Sequence, residues 1–160
     1  MTRGSQGGRG SDREGLDIER EERLLARMEI DGSAMRANYR TVSGLLEPGC
    51  RVIAVVKADA YGLGLVPAAR VLAGEGCLHF AVATVAEGVE LRDCGFGGEI
   101  LVLGSIPPRQ APEVVEWGLS ATCGDMGLAQ SLRQAAVAAG RAARLHLKVD
   151  TGLGRIGFFP

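Results

Sequence analysis

Residues 51–73 read RVIAVVKADAYGLGLVPAARVLA. Arg51–Lys57 is a continuous apolar, β-branched run, the pattern of a parallel strand buried on both faces. Leu65–Ala73 carries helical spacing, with Pro67 near its first turn and Gly74 and Gly76 ending it. Between them lies a loop of small residues. Strand, short loop and helix together make one unit of a parallel α/β sheet.

The unit recurs downstream. His79–Ala83 predicts a strand. Thr84 then caps a helix through Leu91, with Glu87 at capping-box spacing. Gly97 and Gly98 mark a turn, Glu99–Leu103 a strand and Pro108–Trp117 a helix. Leu119–Cys123 predicts a short strand, Asp125 a cap for a helix to about Ala139, and Arg144–Val149 a fifth strand. Upstream, Met28–Asp31 predicts a strand, Gly32–Ser33 a cap, and Ala34 to Leu46 a helix stopped by Pro48–Gly49. Tyr39 and Trp117 read as packing residues. Repeated units with short connections imply right-handed crossovers. Five strands suit either a doubly wound sheet or part of a (β/α)8 barrel, and the pattern leaves both open. Thr151–Pro160 (TGLGRIGFFP) closes on an apolar stretch with no helix after it, which reads as a severed chain. An unpaired apolar edge after the fifth strand would then make the chain poorly soluble.

The 160 residues carry a formal net charge of −1, from 18 basic and 19 acidic side chains. That balance gives no electrostatic footprint for nucleic acid or an anionic membrane. No apolar run approaches the roughly 18 residues that span a bilayer, and no secretory h-region is present, so a cytoplasmic protein is expected. Residues 1–27 are rich in Gly, Ser, Arg and Glu and are expected to form a flexible or partly helical extension ahead of a domain over 28–160. Cys50, Cys77, Cys94 and Cys123 lack metal-ligand spacing, so they read as reduced thiols and no metal site is expected.

Of the 18 basic residues only Lys57 and Lys148 are lysines. Both fall at or near predicted strand ends, where α/β folds place their chemistry. An amine can lose its proton when desolvated and form a Schiff base or a carbamate, whereas a guanidinium cannot. In the loop after Lys57, Gly62 and Gly64 permit close approach of a ligand, and Tyr61 places a phenol four residues from the lysine. The spacing is neither a dinucleotide fingerprint nor a P-loop. Arg155, in Thr151-Gly-Leu-Gly-Arg155, offers a planar fork to a carboxylate or phenolate. His146 alternates with Lys148 and is expected to be a packed core histidine.

Three stretches resemble the alanine racemase family in order and interval. They are MEIDGSAMRANYR (Met28–Arg40), VVKADAYGLG (Val55–Gly64) and LKVDTGLGRIGF (Leu147–Phe158). The resemblance implies the N-terminal portion of a (β/α)8 barrel, about five strand–helix units truncated before closure, with a C-terminal β-domain absent. By resemblance Lys57 would hold pyridoxal 5'-phosphate covalently and act as the base on one face of the substrate Cα. Tyr61 would bind the cofactor phosphate. Arg155 would contact the pyridine-ring hydroxyl and the substrate carboxylate. Lys148 matches a lysine that some members carbamylate, which would turn a cation into an anion beside Arg155. Two positions depart from the family motif. Leu63 replaces a histidine, and Asp59 stands where asparagine is common.

The activity so implied is interconversion of L- and D-alanine, the supply of D-alanine for the cell wall, by a homodimeric isomerase. The second base would be a tyrosine of the partner subunit, beyond Pro160, so this stretch alone is expected to be inactive. The alternatives are a racemase of the same family acting on serine, or a truncated remnant without activity.

Overall fold

The structure is a computed structural model, and it describes residues 27–160. The expected N-terminal extension lies outside the described residues apart from Arg27. Two units divide the chain between Ile30 and Asp31, and the second, Asp31–Pro160, carries the sheet.

That unit opens with helix α1 (Gly32–Gly44). Its cap is Asp31, not the predicted Gly32–Ser33 pair. The Asp31 carboxylate accepts from the N–H groups of Ser33 (2.8 Å) and Ala34 (3.1 Å). The predicted strand Met28–Asp31 is absent, since residues 28–30 join no ladder and Asp31 serves as the helix cap. Strand β1 is Ala54–Val55 and is followed by a single helical turn, Lys57–Tyr61. Then come α2 (Leu65–Ala73), β2 (His79–Val82), α3 (Val85–Asp93) and β3 (Glu99–Val102). A 3-10 turn, Pro108–Gln110, leads into α4 (Ala111–Glu116), where the sequence predicts one continuous helix. The last elements are β4 (Ser120–Cys123), α5 (Met126–Ala139) and β5 (Arg144–Leu147).

All four strand pairings are parallel, and the order in the sheet is β1-β2-β3-β4-β5. A doubly wound sheet reverses its strand order at a switch point, whereas a barrel adds each strand beside the last. The unbroken order therefore settles the choice in favour of a barrel segment. Register and the two-residue alternation of strands assign the faces. Phe80, Val82, Ile100, Val102, Ala121 and Cys123 face the helices and form the core with Leu65, Val114, Leu128 and Leu132. The helices follow one another around that face, α1 packing on α2, α2 on α3, and α4 on α5.

All five predicted strands are longer than the observed ones, three of them by a single residue. Arg51–Lys57 contributes only Ala54 and Val55 to the ladder, because β1 pairs on one side alone. It is not buried on both faces either, since Ile53 and Val55 are 44% and 42% exposed. β5 ends at Leu147, with Val149 forming one further parallel bridge, to Phe158. Leu145 and Leu147 share register with the core residues Ala121 and Cys123 yet remain exposed. Tyr39 and Trp117 pack against the core as expected.

Arg92, near the end of α3, ties the lower loops together. Its guanidinium donates to the carbonyls of Phe96 (2.5 Å), Gly98 (2.7 Å), Trp117 (3.0 Å) and Gly118 (3.0 Å). Burial, followed by the nearby Arg144 charge, lowers the guanidinium's proton affinity.

Candidate active site

β1 ends at Val55, and the chain then turns sharply. Ala58, Asp59, Ala60 and Tyr61 all adopt positive φ, between 52° and 58°. Gly62 follows with φ 87°. Four consecutive left-handed residues with Cβ atoms cost about 1–2 kcal/mol each, so other contacts must hold the turn. The Asp59 carboxylate accepts from the Leu65 N–H at 2.6 Å and fastens the turn to the start of α2. Only an acceptor oxygen is used there, so the carboxylate serves where the family motif commonly has an amide. Glu87 accepts from the Ala58 N–H at 2.7 Å.

The second loop is organised by Asp150. This buried residue accepts from the N–H groups of Gly152 (2.9 Å), Gly154 (3.0 Å) and Arg155 (2.8 Å). These bonds, that from Gly152 foremost, hold its carboxyl below the usual carboxylate range. The loop then returns to the sheet. The Phe158 N–H donates to the Lys148 carbonyl and the Asp150 N–H to the Phe158 carbonyl. Gly157 makes that return fit. Its φ is 135°, and a Cβ there would lie 2.6 Å from the Asp150 nitrogen. Gly157→Ala is accordingly expected to cost about 1–3 kcal/mol, read as a lower urea midpoint. Unchanged stability would show that the loop has room to shift.

The two loops and the strand ends enclose a cleft of about 310 Å3. It is lined by Lys57, Lys148 and Arg155, with Thr122, Leu103 and Ile156 among the remaining walls. Three of the residues singled out from the sequence thus meet in one place, although they come from chain positions nearly a hundred residues apart. Among the described residues no acid lines the cleft. Two amines and a guanidinium on one wall suit an anion, and an amine can also serve as a nucleophile. Tyr61 is not part of this lining and is 66% exposed. Leu63 is likewise outside the lining.

His146 is not the core histidine expected. Its side chain is about half exposed, and Nε2 lies 3.3 Å from Glu99 Oε1. Ser120 Oγ donates to the same oxygen at 3.1 Å, and His79 Nδ1 is 3.6 Å from Oε2. The His146 contact is the main reason the Glu99 carboxyl sits below its ordinary value. Sequence reasoning gave Asp150 and Glu87 no part in the site, while Glu99, the first residue of β3, lies outside the cleft lining. Asp150 left a signal as the acid immediately before the glycine-bearing strand-end loop, and Glu87 left one only as a helix-capping residue. Among the described residues no cluster of His, Cys, Asp and Glu could hold a metal ion, and no helix is long and apolar enough to cross a membrane.

Fold and site together define an α/β barrel domain whose strand ends present a cationic, lysine-bearing mouth. The family of alanine racemase N-terminal domains matches residues 30–160, and the chain belongs to it. It is 46% identical over 132 residues to an alanine racemase of Symbiobacterium thermophilum, covering 82% of this chain and 35% of that protein. The solved alanine racemase from D-cycloserine-producing Streptomyces lavendulae superposes with a TM-score of 0.77 at 40% identity, over 82% of this chain and 34% of that one. A histidine racemase from Leuconostoc mesenteroides superposes with a TM-score of 0.73 at 30% identity, over 80% of this chain and 34% of that one. The chain thus spans about a third of the length of the proteins it matches.

Proposed function

We propose that this chain supplies the cofactor-bearing part of a cytoplasmic, pyridoxal phosphate-dependent amino-acid racemase, and that the whole protein interconverts L- and D-alanine as a homodimer. The observation that carries the proposal is the convergence of Lys57, Lys148 and Arg155 on one cleft without an acid among its walls. Within that set, Lys57 and Arg155 suit pyridoxal 5'-phosphate, whose aldehyde needs an amine and whose anionic groups need a cation. When bound, the cofactor supplies the electron sink for the carbanion left at the substrate Cα.

The chain's own residues do the rest. The Lys57 Nζ would hold the cofactor and would move the proton at the substrate Cα on one face. Arg155 orients the ring hydroxyl and the substrate carboxylate through its planar fork. Tyr61, on the turn that carries Lys57, binds the cofactor phosphate. Lys148 would add carbon dioxide at its neutral amine, release a proton, and as a carbamate become the anionic partner of Arg155.

The test is borohydride trapping of the protein after incubation with pyridoxal phosphate. Peptide mapping is expected to find the adduct on Lys57, and Lys57→Ala to abolish it. Labelling spread equally over Lys57, Lys148 and the amino terminus would overturn the reading. The likeness to a histidine racemase favours a second reading, a related racemase acting on another amino acid. Comparing racemisation of alanine, serine and histidine by the whole protein separates the two.

A further inference from the structure

We infer that Glu87 is a positioning residue for Lys57, acting through the backbone of the left-handed turn. This inference rests on the reading of Lys57 as the cofactor lysine.

Glu87 stands in the first turn of α3, where it completes a capping box with Thr84. A capping box needs only one carboxylate oxygen. Here Oε2 does that work, accepting from the N–H groups of Ala83 (2.8 Å) and Thr84 (3.0 Å). The other oxygen, Oε1, turns the opposite way and accepts from the Ala58 N–H at 2.7 Å. One carboxylate therefore joins the end of β2, the start of α3 and the residue immediately after Lys57. The two neighbouring backbone segments it joins lie about 25 positions apart, since Ala58 and Ala83 belong to successive units of the barrel.

The Ala58 N–H has little alternative. Positive φ at residues 58–61 opposes the ordinary preference of alanine, aspartate and tyrosine. With the Glu87 tie removed, the turn loses a charge-assisted bond at the residue next to the lysine. Its backbone can then relax toward ordinary dihedrals, and relaxation at Ala58 re-aims Lys57 directly. The Lys57 amine would no longer be held against the wall formed by Lys148 and Arg155.

The two roles of Glu87 can be separated by mutation. Thr84→Val removes the hydroxyl that accepts from the Glu87 N–H and so weakens the helix cap. It leaves the carboxylate and its bond to Ala58 in place. Glu87→Ala removes both roles, and Glu87→Gln keeps one neutral acceptor. Each variant of the full chain is measured in three ways: melting temperature, Ala58 amide exchange without cofactor, and affinity of the Lys57 adduct with pyridoxal phosphate.

Thr84→Val is expected to lower the melting temperature while leaving exchange and affinity near those of the parent. Glu87→Ala is expected to speed Ala58 exchange and weaken the adduct roughly tenfold or more. Glu87→Gln should fall between. Parent-like exchange and affinity in Glu87→Ala would overturn the inference. So would a loss in Thr84→Val equal to that in Glu87→Ala, because Glu87 would then act only through the stability of α3. Absence of any Lys57 adduct in the parent chain overturns the cofactor reading instead, and Ala58 exchange still decides whether Glu87 holds the turn.

Discussion

Replacing Arg92 by alanine is expected to destabilise the domain by about 3 kcal/mol, a fall in melting temperature of roughly 10 °C. The guanidinium meets four carbonyl oxygens from the loops around Phe96–Gly98 and Trp117–Gly118. Those loops lead into β3 and β4, so Arg92 sets where two neighbouring strands begin. An alanine leaves the carbonyls partly shielded from water and without a donor, which is costlier than the bonds alone. Arg92→Lys is expected to recover little, because one compact ammonium cannot span four acceptors in a plane. Urea unfolding of both variants checks this. Stability within about 0.5 kcal/mol of the parent would show that water replaces the guanidinium freely.

Replacing Asp150 by alanine is expected to abolish tight cofactor capture while leaving most of the fold intact. Its carboxylate gathers three consecutive-loop N–H groups, and the last of them belongs to Arg155. Without it the loop has no common acceptor, and Arg155 loses its fixed approach to the cleft. Asp150→Asn is expected to be intermediate, since one amide oxygen must serve where two carboxylate oxygens did. The pH dependence has a definite sign. The native carboxyl is held below its ordinary value, mainly by the Gly152 N–H. Its contribution is complete above the unfolded-state value of about 3.9 and is lost as the pH falls through the lower native value. Amide exchange at Gly152, Gly154 and Arg155 should therefore stay protected through the usual carboxylate range and fail only below it. Protection lost at higher pH, or retained in Asp150→Ala, would assign the loop's order to another cause.

The parts of the fold that were legible in the sequence are those governed by local rules. Thr84 and Glu87 form the capping box that their spacing announces, and Asp125 caps α5 through the Leu128 N–H. The strand-end rule singled out Lys57, Lys148 and Arg155, and the cleft brings them together. What stayed hidden depends on partners far along the chain. Arg92 bonds to carbonyls up to 26 residues away, and backbone carbonyls leave no trace in composition. The reach of Glu87 to Ala58, 29 residues back, is equally silent. β1 was read too long because an apolar run reports burial, whereas a ladder needs a neighbour on the correct side. The expected strand at Met28–Asp31 gave way at its end to a helix cap, since Asp31 is spent on the first N–H groups of α1.

The left-handed turn after Lys57 has a consequence for the order in which the domain assembles. Ala58, Asp59, Ala60 and Tyr61 carry no intrinsic leaning toward the shape they adopt, so the turn cannot nucleate from within. Its holders are Glu87, supplied by the next unit, and Asp59 clasped to the start of α2. The bend consequently matures late, after its surroundings have docked. On the proposed reading of Lys57, a half-folded chain would then lack the pocket that directs an aldehyde to this amine, and capture of the cofactor would mark a finished domain.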